Sequence, residues 1–280
     1  MIGVNQSTAT DRVMGQTTGH RMPLPLPRRW IADLLHAAKR VPTVTVERVM
    51  NVSAVVAARK QLVHPPAWVL LFTKAYAVVA ARRPELRRAY LPFPCPHLFQ
   101  ADESVATVAV EREYQGEPAV FFGHIRHPDQ QSLRQLVQHL HRWRTHPVEH
   151  IRSFSRLVRY SKLPFPLRRV AWWYAANVSW RWRVRTFGTF GVSVTAGDGA
   201  AALNLISPLS TSVNYGVLMA DHTLPVRVHF DHRVMDGAPV ARALVEVEEV
   251  MNSTIVTELR QTMERPADIR LLPPWKSAAA

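Results

Sequence analysis

The chain is expected to fold as an α+β protein, with one large, mostly antiparallel or mixed sheet covered by helices. Two observations point there. Runs with strand alternation are interspersed with runs of helical period along the whole length, without internal repeats of 20–50 residues. The 280 residues are 47% hydrophobic and 20% charged, enough for one large core or two modest ones and far from a disordered composition.

The elements follow in order. After the proline-punctuated Met22–Pro27, Trp30, Ile31, Leu34, Leu35 and Ala38 have the spacing of a helix. Val41–Val49 alternates as a strand, and Asn51-Val52-Ser53 can cap a helix over Ala54–Leu62. Trp68–Arg82 is apolar except for Lys74 and reads as a buried helix, halted near Pro84. Residues 97–111 and 117–124 read as strands joined by a turn at Tyr114-Gln115-Gly116-Glu117. Gln130–Trp143 is an amphipathic helix with Leu133, Leu136, Val137 and Leu140 on one face. Strand-like runs at 187–195, 201–206 and 212–219 precede Leu224–Phe230, and a helix closes the pattern at roughly 238–252. Organisation is expected as a flexible leader over 1–26, a catalytic region over 27–255 and an extension over 256–280.

Bulk properties narrow the function. Lys and Arg total 35 against 21 Asp and Glu, a net charge of +14, which favours an anionic partner such as nucleic acid, a membrane face or a phosphorylated small molecule. Much of the excess lies in one interval: no acidic residue occurs between Glu149 and Asp198, while nine basic residues crowd there. Lone Cys95, between Pro94 and Pro96, excludes an intramolecular disulfide framework and a cysteine zinc cluster, and reads as a small apolar filler. Histidines 124, 127, 139, 141, 146 and 150 lack metal-site spacing and read as solvated or interfacial, so no metal is expected. No apolar run of 18 residues and no signal-peptide core occurs, so the expected location is cytoplasmic.

The segment Phe230-Asp231-His232-Arg233-Val234-Met235-Asp236-Gly237 carries the chemistry. It places His232 just past a strand, where a rigid element fixes a side chain and a loop exposes it. Imidazole accepts a proton from a thiol or hydroxyl near neutral pH, so His232 is a candidate general base. On spacing alone, His232 and Asp236 read equally well as polar turn residues.

The order of elements ending in D-H-R-V-x-D-G resembles the catalytic domain of the 2-oxoacid dehydrogenase dihydrolipoyl acyltransferases and their fold relative, chloramphenicol acetyltransferase. The resemblance runs from about Pro27 to Met251. It includes Arg28-Arg29-x-Ile31-Ala32, Pro42–Glu47 with Val52–Val55, Lys74-Ala75, Pro84-Glu85-Leu86, Ser132-Leu133, Phe187–Ser193 and Ile206-Ser207-Pro208. It implies a chloramphenicol acetyltransferase-like fold that forms trimers or multiples of three. It also implies acyl transfer from acyl-CoA, with His232 as the base and Ser193 as a hydroxyl donating to the tetrahedral oxyanion. In the family these two meet across a subunit interface, with coenzyme A and acceptor entering a channel from opposite ends. Asp236 is implied to be structural, paired with Arg28 or Arg29 of the opening helix. Gly237 would let the backbone turn tightly into the next helix.

Two departures shape the expectation. About 26 residues precede the catalytic region, too few for a lipoyl domain, so no covalently attached lipoate is expected and a free-standing acyl-CoA-dependent enzyme is favoured. The alternatives are a non-catalytic trimeric or cage-forming scaffold, or a dehydrogenase-complex core served by a separate lipoyl protein. The second departure is a basic aromatic insertion at about 148–185, where Phe154, Tyr160, Phe165, Trp172, Trp173, Tyr174, Trp180 and Trp182 interleave with the basic residues. These aromatics could pack on the core with arginines in solvent, lie on an anionic membrane surface, line an acceptor entrance or stack on nucleic acid. Nucleic acid ranks last, and a membrane surface or lipid-like acceptor ranks first among the functional options.

Overall fold

Proline and tryptophan set the start and the inward face of the first helix. In the computed structural model, which describes residues 20, 22–194, 196 and 199–263, helix α1 spans Leu26–Ala38, with Pro27 in its first turn. Trp30 projects from it into the core, fully buried, 5.1 Å from the Phe121 ring and donating through Nε1 to the Val120 carbonyl at 3.0 Å. The remaining elements are β1 (Thr43–Asn51), α2 (Ser53–Lys60), α3 (Trp68–Arg82), β2 (Arg88–Leu91), β3 (His97–Gln100), β4 (Val105–Tyr114), β5 (Glu117–Arg126) and α4 (Leu133–Thr145). Then come α5 (Arg152–Ser161), α6 (Phe165–Asn177), α7 (Trp180–Phe187), β6 (Phe190–Val192), β7 (Thr211–Tyr215), β8 (Thr223–Asp231), α8 (Gly237–Val250), a π-helical turn (Met251–Ile255) and α9 (Val256–Met263).

Six strands form one mixed sheet in the order β1-β8-β7-β6-β4-β5, and β2 with β3 forms a small antiparallel ribbon. The β4–β5 hairpin turns at Gln115 and Gly116, both at positive φ, as a two-residue hairpin that follows strand twist requires. β6 pairs in parallel with β4 and with β7, whereas β8 runs antiparallel to both β7 and β1. Helices α3, α4 and α8 pack on one face of the sheet, and α1 and α5 pack against β5 on the other. Burying α3 strands one cation: the Lys74 ammonium meets Glu258 of α9 at 2.6 Å and the Gln131 carbonyl at 2.6 Å. Ser132 caps α4 reciprocally with Gln135, so the helix starts at Leu133 rather than at the expected Gln130.

The sequence and the structure part in several places. The run at 97–111 is two strands, because the chain bends at 102–103 and Ala101 donates to the Arg87 carbonyl. Residues 201–206 form no strand: β6 pairs directly with β7, leaving no open ladder for them, and the Ala202 carbonyl instead accepts from the Asn214 side chain. The leader expected over 1–26 lies mostly outside the described residues. Of the extension expected over 256–280, the described part continues the closing helix and buries Val256 and Leu259. Cys95 is exposed rather than filling the core.

The basic aromatic interval folds into three helices, α5 to α7, that are half core and half surface. Phe154, Trp172 and Phe187 are buried, with Phe154 stacked 4.7 Å from Phe121. Trp173, Tyr174, Trp180 and Trp182 are exposed. Two arginines go inside with the aromatics. Arg183 donates to the carbonyls of Ala176 and Pro208, at 2.8 and 2.6 Å. Arg168 forms an ion pair with fully buried Asp33 of α1, and Arg169 adds a second contact at 3.4 Å. Burial pushes the Asp33 carboxyl above its ordinary range, outweighing the two arginines. The pair nevertheless clamps α6 to α1, because losing the carboxylate leaves a guanidinium buried without a counter-ion. Asp33→Ala is expected to cost about 3 kcal/mol in urea unfolding. A cost under about 1 kcal/mol would show that the clamp is not needed.

Candidate functional site

His232 leaves the sheet one residue after β8, on a turn held rigid on both sides. Its N–H donates to the Pro42 carbonyl at 3.1 Å. Asp231 before it is fully buried and receives Arg233 twice, Nε to Oδ1 at 2.9 Å and Nη2 to Oδ2 at 2.7 Å, with the Arg233 N–H also on Oδ1 at 3.0 Å. Arg233 also lies over the Tyr90 ring, 4.4 Å from its centroid. A bidentate guanidinium of this kind is the strongest side-chain clamp available. The imidazole itself is 51% exposed, with Nδ1 3.6 Å from the Asp236 carboxylate. That leaves Nε2 as the nitrogen available to a substrate. The sequence drew attention to His232 and Asp236; the Asp231–Arg233 clamp flanking the histidine is the part it did not single out.

Ser193 follows β6, and its N–H extends the parallel ladder to the Val213 carbonyl at 3.2 Å. It is half-buried and lines an apolar chamber of about 280 Å³, with Ile31 and Leu34 of α1, Phe122 of β5, Leu157 of α5 and Trp172 of α6. Just before β6, Gly188 has a φ of +83°, and a Cβ there would come within 2.5 Å of the Thr107 hydroxyl, so a glycine lets the chain pass close to β4.

Within one chain, His232 and Ser193 are apart. The ladder sets Ser193 level with Asn214, which pairs with Arg227, five residues before His232. At ~3.3 Å per residue and ~4.8 Å per strand, this register puts their backbone positions about 19 Å apart, at opposite ends of the sheet. A base works at hydrogen-bond range, so no single chain brings the two to one reacting carbon.

The same topology keeps the expected support apart within one chain. Asp236 is 85% exposed and forms no ion pair with Arg28 or Arg29; Arg28 is exposed, and Arg29 Nε donates to the Leu24 carbonyl. The reason is positional: α1 packs on β5, whereas Asp236 follows β8, with β7, β6 and β4 between. Gly237 is the first residue of α8 without a positive φ, and a Cβ there would make only an ordinary 3.8 Å contact with Val46. The tight-turn role therefore fails. Among the described residues, no three His, Cys, Asp or Glu side chains are placed to hold a metal.

The histidines are less uniform than expected. One register level crosses the sheet on a single face through Thr45, His229, Ser212, Gly191, Thr107 and His124. His229 is 2% exposed and shares a 2.8 Å hydrogen bond with the Thr45 hydroxyl. Burial, with Arg227 nearby, lowers its proton affinity. His124 is the sharper case. Its Nε2 is sealed from solvent without a partner, and burial, then Arg156 and Arg126, pushes the ring down to about 4.

No protein-family model matches the chain, and no curated protein matches it. Solved structures do. The dihydrolipoamide acetyltransferase of Azotobacter vinelandii aligns with a TM-score of 0.58 at 18% identity, over 91% of this chain and all of that one. A probable dihydrolipoamide acetyltransferase from Listeria monocytogenes gives 0.55 at 15% identity, over 87% and 95%. A truncated catalytic core of the Thermoplasma acidophilum 2-oxoacid dehydrogenase complex gives 0.56 at 18%, over 84% and 99%. The chain thus has the acyltransferase fold that its sequence resemblance implied. At these identities the likeness is one of fold.

A neutral His124 has a measurable consequence. Between its unfolded value of 6.5 and about 4, the unfolded chain takes up a proton that the folded one refuses. The stability tied to this ring is therefore complete above pH 6.5 and is lost as pH falls toward 4, by up to about 3 kcal/mol. Chemical unfolding of wild type and His124→Gln from pH 7 to 4 measures it. The variant should lose less stability over that window; equal slopes would place the ring in solvent.

Proposed function

We propose that the protein is an acyl-CoA-dependent acyltransferase whose active site forms between copies of the chain. The placement of His232 carries this reading: a clamped, accessible imidazole closes the strand of an acyltransferase fold. In the Azotobacter vinelandii enzyme, the catalytic roles of a serine, a histidine and an asparagine four positions beyond that histidine have been investigated. His232 and Asp236 keep that spacing, with aspartate for asparagine.

The chemistry follows from the groups present. An acceptor thiol, hydroxyl or amine attacks the thioester carbonyl of acyl-CoA while His232 takes its proton. The carbonyl oxygen becomes an oxyanion, to which the Ser193 hydroxyl of a neighbouring copy donates. The C–S bond then breaks, the imidazolium returns the proton to the leaving sulfur, and free CoA and acylated acceptor depart. One preorganised donor of this kind contributes about 3 kcal/mol to lowering the barrier.

Assembly is part of the proposal, because about 19 Å separates the two backbone positions within one chain. The surface suits it. On the face away from α8, edge strand β1 leaves Thr43, Thr45, Glu47 and Val49 exposed, with Val49 at 56%. A trimer would carry α1 and Ser193 of one copy toward His232 of the next, and an Arg28 or Arg29 contact to Asp236 would then also run between copies.

A second reading concerns location. Trp173, Tyr174, Trp180 and Trp182 are exposed on α6 and α7, with Arg181 5.2 Å above the Trp180 ring. Tryptophan and arginine together suit an anionic bilayer surface. Among the described residues, no helix is long and apolar enough to cross a membrane.

Thiol release from acetyl-, medium- and long-chain acyl-CoA, with lipoamide and lipid extracts as acceptors, tests the chemistry. His232→Ala is expected to lower the rate about 10²–10⁴-fold. Co-assembled His232→Ala and Ser193→Ala chains should recover about one quarter of the sites, since each interface draws its halves at random. No recovery from correctly assembled mixtures would put the site within one chain. No release by wild type with any acceptor would leave the scaffold reading, and lipoamide as sole acceptor would favour a dehydrogenase-complex core. Flotation on anionic vesicles should weaken in Trp173→Ser/Trp182→Ser, and unchanged flotation removes the membrane reading.

A further inference from the structure

Beside the apolar chamber that Ser193 lines is a second, larger one of about 770 Å³, at the β5 edge between α4, α5 and α7. Five arginines line it, Arg126, Arg142, Arg152, Arg156 and Arg185, with His124, His139 and His150 and no acidic residue. Among the described residues, no carboxylate pairs with Arg142, Arg152, Arg156 or Arg185; only Arg126 has one, Glu103 at 3.6 Å. Arg156 is tethered through Nη1 to the Arg185 carbonyl at 2.8 Å. Burial lowers the proton affinity of Arg156, and Arg185, Arg152 and Arg159 lower it further, partly offset by Tyr160. Unlike the arginines clamped to Asp33 and Asp231, four of these five have no carboxylate among the described residues to neutralise them.

The two chambers adjoin. His124, Ser153, Arg156 and Arg185 line both, and the buried, unpartnered Nε2 of His124 belongs to a ring at that junction. Past the junction the lining becomes hydrocarbon: Leu157, Phe122, Val120, Leu34 and Ile31. A molecule filling both would carry concentrated negative charge directly joined to an apolar chain. Guanidinium groups hold carboxylate and phosphate oxygens through paired N–H donors, and the higher charge of a phosphate monoester suits a cluster of five arginines. Coenzyme A fits less well, because polar amide groups separate its phosphates from its acyl chain.

We propose that the adjoining chambers bind a phosphate-ester lipid, with its phosphate among the arginines and its aliphatic chain beneath Ser193. The inference rests on reading Ser193 as facing substrate, and it names the acceptor class for the same site. The lipid is then an acceptor whose apolar part carries a hydroxyl toward the acyl carbonyl while its phosphate stays at the β5 edge; that hydroxyl forms the new ester bond and gives up its proton as the thioester C–S bond breaks.

Titration calorimetry of the full chain with dodecyl phosphate, below its micellar concentration, tests this independently of turnover. The expected result is saturable binding of one molecule per chain, weakened at least tenfold in Arg152→Ala/Arg185→Ala, both exposed residues outside the core. Ala109→Phe, which fills the apolar chamber, should weaken dodecyl phosphate but leave inorganic pyrophosphate unaffected. Dodecanol should be indifferent to the arginine changes. Absence of binding to folded wild type, equal affinity in the arginine variant, or CoA binding as tightly with the same arginine dependence would each overturn the proposal. Thiol release persisting alongside any of those results would leave the acyltransferase reading intact, whereas dodecyl phosphate binding without thiol release would remove that reading alone.

Discussion

β8 runs antiparallel to β7, and β7 runs parallel to β6, so the chain leaves the sheet at one end after Val192 and at the other after Asp231. Much of the molecule depends on that reversal. It lets β8 pair with β1 over nine consecutive positions, from Thr43 with Asp231 to Asn51 with Thr223, which ties the start of the chain to its end. It sends α8 back along β1, where Glu248 meets Arg48 and the Asn51 amide. It also gives Ser193 and His232 opposite ends of the sheet. Any reaction that needs both then requires more than one copy, for reasons of strand direction alone.

The excess of arginine is sorted by depth. Two buried carboxylates take the arginines that must go inside or hold a turn, Asp33 for Arg168 and Arg169 and Asp231 for Arg233. Backbone carbonyls take Arg183, and burial lowers its proton affinity to about 10, with Asp231 opposing and Arg233 adding to the effect. Each of these has a structural partner, so none is free for an anion from outside. Among the described residues, four of the five arginines around the β5-edge chamber pair with no carboxylate, and there the positive field faces open space. A net charge of +14 says only that an anion is welcome; the pairing pattern says where.

The legible parts of the sequence were those whose signal is local. Helical spacing from Trp30 to Ala38, the apolar run from Trp68 to Arg82 and the turn at Gln115-Gly116 each encode their element in adjacent residues, and all three formed. The failures need knowledge of neighbours. Residues 201–206 alternate like a strand but find no open ladder. Asp236 and Arg28 look like partners in an ordered list of motifs, yet three strands lie between their elements. Asp33 gave no warning, since one acid in an amphipathic helix reads as a solvated face until α6 delivers Arg168 to it. The 148–185 interval offered aromatics and arginines without saying which go inside. Packing decided that Phe154 and Trp172 do and that Trp173 and Trp182 do not.

Two histidines sit in opposite environments. His124 lines the cavity and is the nearer to Ser193 in the register, one strand pair beyond Thr107, so position alone would make it the candidate. Yet burial and the guanidinium of Arg156 bring it down to about 4, and an imidazole that weakly basic cannot hold a substrate proton near neutral pH. It can still offer a hydrogen bond to a bound anion. His232 is half in solvent, the guanidinium next to it in sequence is neutralised by Asp231, and the Asp236 carboxylate lies on its Nδ1 side. With His232 as the proposed base, its place at the far end of the sheet from Ser193 makes assembly part of the same proposal, for reasons of strand direction.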